Sequence, residues 1–153
     1  MIDLLYFQQN DTFGLTEHYL FDLVRGVDRS RYNLHLIYPD VPELHKFSLL
    51  GSKGVHLYQL PARLVSGNAL LIVPQILLMI RRIDPDLIHF NDPAVAGLLA
   101  GRLFRNVNLV MTHHTPELDR CYGERGKLLE RVAFRGRPFV IFTSENDRRT
   151  GMV

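Results

Sequence analysis

Residues 2–27 read IDLLYFQQNDTFGLTEHYLFDLVRGV, and they contain the unit on which the rest of the chain is built. The first six of them form an apolar run of strand length, and a polar loop with one glycine, Gly14, follows. Beyond the loop, apolar residues recur with the spacing of one helix face, at Tyr19, Leu20, Leu23, Val24 and Val27. The stretch therefore predicts a strand, a loop and a helix in direct succession.

The same alternation continues along the chain. Further strands are predicted at Leu34–Tyr38 (stopped by Pro39), Val55–Leu60, Leu87–Phe90, Val107–Thr112 and Phe139–Thr143. Further helices are predicted at Pro42–Leu50, Leu70–Ile83, Ala94–Phe104 (capped by Asp92, with Pro93 first), Glu124–Phe134 and from Ser144 onward. Alternation of this kind predicts parallel strands with right-handed crossovers, and strands without an apolar–polar alternation are typical of sheets covered on both faces. We expect an α/β fold, doubly wound, with a mainly parallel sheet and helices on both faces.

Length and composition exclude several classes of protein. A chain of 153 residues suits one domain, and its formal net charge of +2 is too small to indicate a nucleic-acid partner. Cys121 is the only cysteine, so no disulfide forms within the chain, which fits a cytoplasmic protein. The N-terminus lacks the basic region of a signal peptide, and the most apolar stretch, residues 69–80, is shorter than the ~20 residues that span a bilayer.

Polar residues gather where four of the predicted strands end, in residues 8–14, 89–92, 112–115 and 143–145. Ligands of open α/β sheets bind outside the carboxyl ends of the strands, so we expect these loops to line one crevice. The first loop presents backbone N–H groups at a helix N-terminus, which suits a phosphate. The alternative is that Gly14 serves only the tight turn.

Three histidines, His89, His113 and His114, lie in these loops. Their spacing matches no zinc signature, so we expect no metal ion. We expect the imidazoles to hydrogen-bond a sugar hydroxyl or a main-chain carbonyl, with ordinary packing as the alternative. Ser144 lacks the Gly-x-Ser-x-Gly elbow of a serine nucleophile and is better explained as a helix cap.

Five segments are FGLTEH at 13–18, RYNLHL at 31–36, DPDLIHFN at 84–91, LVMTHH at 109–114 and RPFVIFTSE at 137–145. In this order along the chain, they resemble motifs of the family-4-like retaining glycosyltransferases of the GT-B fold, which use nucleotide-sugar donors. The resemblance implies that residues 1–153 are a single Rossmann-like N-terminal domain, one half of a GT-B fold, that mainly binds the acceptor. We expect the domain to be truncated, because the chain stops one turn into a capped helix, and the C-terminal donor-binding domain to be absent. The fragment alone is therefore expected to be inactive.

The resemblance also implies roles for individual residues. It assigns the donor sugar to His114 as the catalytic position, the donor phosphates to Gly14, Ser144 and Glu145, and the acceptor to Thr16, Glu17 and Asn91. It implies no metal or other cofactor, since positioning and electrostatic stabilisation of the departing diphosphate would supply most of the rate. The chain departs from the family pattern in two places, where Phe13 replaces one of two paired glycines and where Thr115-Pro116 follows the histidine.

Two other functions remain open, namely half of a GT-B-like nucleotide-sugar epimerase and a non-catalytic binding or interaction module. The predicted helix Leu70–Ile83 is apolar nearly all round and is flanked by Arg63, Arg81 and Arg82. That pattern indicates either a buried helix or, as the resemblance implies for lipid-linked acceptors, peripheral contact with a membrane. We expect a cytoplasmic enzyme, in part membrane-associated, whose partners are a nucleotide-sugar and a sugar or lipid-linked acceptor.

Overall fold

The computed structural model describes residues 1–61, 69–91, 94–104, 106–113 and 139–142. Its strands are β1 (Ile2–Phe7), β2 (Tyr32–Asp40), β3 (Val55–Pro61), β4 (Leu87–Phe90), β5 (Asn108–His113) and β6 (Phe139–Phe142). Its helices are α1 (Leu15–Gly26), a 3-10 helix (Pro42–Phe47), α2 (Ser48–Gly51), α3 (Ala69–Ile83) and α4 (Val95–Gly101). The predicted helices at Glu124–Phe134 and from Ser144 onward lie outside the described residues.

The strands form one sheet in the order β3-β2-β1-β4-β5-β6, and every neighbouring pair is parallel. The chain adds β2 and β3 on one side of β1 and then crosses to the other side for β4 to β6. The direction of winding therefore reverses between β1 and β4, where ligands of open α/β sheets bind. The predicted doubly wound α/β fold is confirmed.

Alternate residues of β1 face two separate apolar cores. Leu5 and Phe7 belong to a core with buried residues of α3 and α4, whereas Leu4 and Tyr6 belong to one with α1, the 3-10 helix and α2. Helices thus cover both faces of β1, which is the reason why its sequence shows no apolar–polar alternation.

Helix α4 approaches the sheet closely at Gly97. A Cβ atom at this position would lie 2.7 Å from Cε1 of Phe90 and 2.8 Å from Cε1 of Phe7. Such distances leave no room for a side chain, so the two rings fill the space below the helix instead. The contact fixes α4 directly behind the carboxyl ends of β1 and β4.

Strand β2 continues through Pro39, where we predicted its end. Its pairing with β1 ends at Ile37, whose carbonyl accepts the Gln8 N–H at 2.9 Å. Because Pro39 is two residues further on and points to the same side, its missing N–H lies beyond the end of β1, where no strand needs a donor. On its other side the strand still pairs with β3, with Pro39 opposite Leu60.

The bounds of helices α1 and α4 differ from the prediction, and the predicted helix Pro42–Leu50 is a 3-10 helix followed by α2. Helix α4 begins at Val95 and ends at Gly101, so it is shorter than the predicted Ala94–Phe104, and Asp92 and Pro93 lie outside the described residues. Helix α1 begins at Leu15, before the first apolar position used in the prediction, because Gly14 and Glu17 close its first turn. Within the described part of the chain, no helix is long and apolar enough to cross a membrane.

Candidate functional site

The candidate site lies at the carboxyl ends of β1 and β4, where the first loop and the loop after β4 meet. The Asn91 N–H donates to the Phe7 carbonyl at 3.1 Å, which holds the end of β4 beside the end of β1. The side chains of Gln8 and Asn91 are both fully buried there. A polar pair in this position requires hydrogen-bond partners, since an unpaired buried amide is costly.

Glu17 supplies the centre of the polar network. Its carboxylate accepts hydrogen bonds from four groups of the first loop and the first turn of α1: Gln8 Nε2 at 2.5 Å, Gly14 N at 2.7 Å, Thr16 Oγ1 at 2.9 Å and Asn10 Nδ2 at 3.2 Å. Only 2% of its surface is exposed. The carboxylate also lies at the N-terminus of α1, where a negative charge is favoured.

The environment of Glu17 favours its ionised form. Burial alone would raise the pKa of this carboxyl, but hydrogen bonds from Gly14 N–H, Thr16 and Asn10 outweigh it, and the pKa lies below its ordinary value. Glu17 is therefore a carboxylate at neutral pH. It can accept hydrogen bonds from the loop but has no proton to give.

Asn91 connects this network to the other loop. Its Nδ2 donates to Gln8 Oε1 at 3.1 Å and to the Thr16 carbonyl at 3.0 Å. The Gln8 amide therefore accepts from Asn91 through Oε1 and donates to Glu17 through Nε2. It joins Asn91 to the carboxylate by two hydrogen bonds in series. Asn91, the first residue after β4, and the loop after β1 thus form one hydrogen-bonded wall.

The structure therefore brings together four of the residues predicted for the site, Gly14, Thr16, Glu17 and Asn91. Gly14 is exposed and Thr16 is half-buried, whereas Glu17 and Asn91 lie beneath them. The Gly14 N–H, which the resemblance assigns to a donor phosphate, donates to Glu17 in the structure. A phosphate at this amide would have to displace the carboxylate.

Three other residues were predicted for the site. His114, Ser144 and Glu145 lie outside the described residues. His89 is buried on the α1 side of the sheet, where its Nε2 lies 2.7 Å from Thr112 Oγ1 and its ring packs 5.3 Å from that of Tyr6. No three metal-ligating side chains gather anywhere in the described ranges.

Sequence reasoning missed Gln8 and Asn10 as parts of the network. The available signal was the abrupt change from an apolar strand to three amides in succession, Gln8-Gln9-Asn10, directly after Phe7. Amides both donate and accept, so such a run is suited to joining a carboxylate to a neighbouring loop.

Two solved structures of known proteins share the fold. HepE (Alr3699) of Anabaena, solved in complex with UDP and glucose, superposes with a TM-score of 0.72 at 18% identity over 99% of this chain. The chain spans only 41% of that protein's length. MurG of Acinetobacter baumannii is similar with a TM-score of 0.55 at 13% identity, over 92% of this chain and 45% of MurG.

A comparison with curated proteins finds no match. In contrast, the family model described as Glycosyltransferase Family 4 matches residues 16–150. The match runs from the first turn of α1 to within a few residues of the end of the chain and includes Thr16, Glu17 and Asn91. The chain belongs to Glycosyltransferase Family 4.

Proposed function

We propose that this chain is the N-terminal, acceptor-side domain of an enzyme that transfers a sugar from a nucleotide-sugar to an acceptor. The observation that carries the proposal is the family match over residues 16–150. The wall formed by Glu17, Gln8 and Asn91 supports it, because it lies at the winding reversal where α/β sheets bind ligands.

The donor is proposed from the related structures. HepE is bound to UDP and glucose, so we propose a nucleoside-diphosphate hexose, with UDP-glucose as the first donor to test. Because the chain spans 41% of HepE, we propose that a second, C-terminal domain supplies most of the donor site and that the chain alone does not transfer sugar.

The proposed mechanism uses positioning and electrostatics with retention of configuration. His114 would contact a hydroxyl of the donor sugar, and Gly14, Ser144 and Glu145 would lie on the phosphate side. Thr16, Glu17 and Asn91 would form the acceptor side, with the exposed part of Thr16 nearest to the ligand. Glu17 would hold the Thr16 hydroxyl, and Asn91 would hold the Thr16 carbonyl. No metal ion or cofactor is proposed, since a fixed array of donors can stabilise the leaving diphosphate.

We also propose a cytoplasmic enzyme that contacts a membrane surface through α3. Leu71 and Leu78 are 65% and 69% exposed on this helix, and Arg81 and Arg82 are exposed at its end. Exposed leucines next to arginines suit the interface of an anionic bilayer, where a lipid-linked acceptor would be presented.

A transfer assay tests the proposal. The complete enzyme is expected to release UDP from UDP-glucose only when acceptor is present, and the anomeric configuration of the product is read by NMR. His114→Ala is expected to lower kcat without changing the melting temperature. Conversion of UDP-glucose to an epimer without acceptor would favour the epimerase instead, and transfer by the isolated chain would contradict the proposed division of the site.

A further inference from the structure

A cluster of aromatic and basic side chains lies beside the first loop and belongs to none of the roles above. Phe47 of the 3-10 helix is fully buried at its base. The rings of Phe13 and Phe21 lie 5.6 Å and 6.4 Å from the Phe47 ring, and both are half-buried. Both rings therefore pack against Phe47 and are in part exposed to solvent.

Lys46 lies close to both the Phe13 and the Phe21 ring. Its Nζ is 4.9 Å from the centre of the Phe13 ring and 5.5 Å from that of Phe21, and the residue is exposed. A ring face attracts an ammonium but accepts little hydrogen bonding, so the N–H groups directed away from the rings remain available. In the described part of the chain, no carboxylate lies within ion-pair distance of Lys46.

His18 completes the cluster, which we call the aromatic–cation cluster (Phe13, His18, Phe21, Lys46, Phe47). The His18 and Phe13 rings are nearly perpendicular, with centres 4.7 Å apart. The His18 backbone N–H donates to the Gly14 carbonyl at 3.1 Å. The imidazole is exposed on the first turn of α1. The cluster is thus continuous with the loop that forms the candidate site.

Among the residues that the structure describes, no nearby acidic residue forms an ion pair with Lys46 or His18. Glu17 is buried in its own network, and Asp22 lies 3.5 Å from Arg25, whose guanidinium carbon is 5.8 Å from the centre of the Phe21 ring. Glu43 is exposed on the same 3-10 helix as Lys46. A group that enters between His18 and Lys46 meets hydrogen-bond donors and ring surfaces.

We propose that the aromatic–cation cluster binds an anionic group, a carboxylate or a phosphate, carried by the sugar acceptor; this rests on the proposed function. The Gly14 N–H at the N-terminus of α1 donates to the Glu17 carboxylate in the structure, so we place this anion at the cluster instead. Lys46 supplies the charge, His18 supplies a second N–H, and Phe13 offers a ring edge to the apolar face of the sugar. The rings keep water away from one side of the ammonium, which strengthens its attraction to an anion.

Three hexoses that differ only at C6 test the inference: glucose, glucuronic acid and glucose 6-phosphate. Each is titrated into the protein, and dissociation constants are taken from amide shifts in ¹⁵N spectra. At least one of the two charged sugars is expected to bind about tenfold more tightly than glucose, with the largest shifts around His18 and Lys46. Which of the two binds better distinguishes a carboxylate from a phosphate.

Variants separate this surface from general charge effects. Lys46→Gln is expected to abolish the preference, Lys46→Arg to keep it, and Lys53→Gln, at another exposed lysine, to leave it unchanged. Equal binding of the three hexoses, or the same loss in Lys46→Gln and Lys53→Gln, would overturn the inference. An enzyme that transfers sugar but shows no such preference would refute this inference alone, whereas a preference without any transfer would refute the proposed function.

Discussion

Glu17 Oε2 accepts the Gly14 N–H at 2.7 Å, so the first turn of α1 is closed by its own carboxylate. Gly14 has no side chain that could cap the helix in the usual direction, and the contact in the reverse direction takes its place. A Cβ at Gly14 would lie 3.3 Å from the same oxygen, so the glycine also lets the carboxylate approach. The charge at this helix end is therefore supplied by the protein itself.

Glu17→Gln is expected to destabilise the fold although it preserves the shape of the side chain. One carboxylate oxygen becomes an NH₂ group, which then faces N–H or O–H donors on every side. We expect a loss of about 1–3 kcal/mol in the free energy of unfolding, measured by urea denaturation. Glu43→Gln, at an exposed glutamate, is the control and should change stability little. Equal effects of both changes would contradict the role of the network.

Stability is expected to fall in acid because of Glu17 and Asp3. The pKa of Asp3 is lowered mainly by its hydrogen bond with His35, whose Nε2 lies 3.1 Å from Asp3 Oδ1. For a carboxyl whose pKa is lower in the folded state, the unfolded chain binds more protons, so the stabilisation is present above roughly pH 4 and is lost as the pH falls through the folded pKa.

Urea midpoints measured between about pH 5 and pH 2 test this expectation. Asp3→Asn and Glu17→Gln should each show a shallower decline than the unchanged protein, since each removes one of the groups that take up protons on unfolding. Asp11→Asn, at an exposed aspartate in the first loop, serves as control. A decline that is equally steep in all variants would assign the acid sensitivity to other groups.

Asn91→Asp tests the connection between the two loops. The replacement puts a carboxylate oxygen against Gln8 Oε1 and the Thr16 carbonyl, which now accept from Asn91 Nδ2 at 3.1 Å and 3.0 Å. We expect a loss of about 2 kcal/mol or more in unfolding free energy, and a lower kcat in the complete enzyme because the Thr16 backbone shifts. Asn106→Asp, the same change at an exposed asparagine just before β5, should be tolerated. Similar melting temperatures for the two variants would refute the connection.

The order of strands and helices was predictable, because apolar periodicity reports which residues face a core. The extension of β2 through Pro39 was not predicted. Whether a proline fits there depends on where the neighbouring strand β1 ends, and only the assembled sheet shows that. The partnership of Gln8 with Asn91 was missed for a related reason. The two are 83 positions apart, and nothing in the spacing of polar residues says which amide meets which. Glu17 was predicted as an acceptor-side residue, and its burial could be seen only once the loop was folded.

Gly97→Ala is expected to destabilise the protein. The new methyl group would meet the Phe7 and Phe90 rings at distances below 3 Å, and α4 could move away only by opening the core behind the site. We expect a loss of about 1–3 kcal/mol, measured by urea denaturation. Gly26→Ala is the matched control, because a Cβ at the end of α1 meets nothing within 4 Å. That change should be neutral or slightly stabilising, and a loss as large as that of Gly97→Ala would argue against crowding as the cause.

The proposed membrane contact predicts an effect of the exposed leucines on α3. The double change Leu71→Ser and Leu78→Ser is expected to weaken binding to phosphatidylglycerol vesicles by tenfold or more, because each leucine contributes roughly 1–2 kcal/mol when its surface leaves water. Leu49→Ser, at a leucine that is 56% exposed on α2, is the control and should bind like the unchanged protein. Co-sedimentation with vesicles at several salt concentrations measures the apolar and the electrostatic contributions to binding. The electrostatic contribution of Arg81 and Arg82 should weaken as the salt concentration rises. If the unchanged protein does not bind the vesicles, or if Leu49→Ser weakens binding as much as the double change, the proposed membrane contact through α3 is wrong.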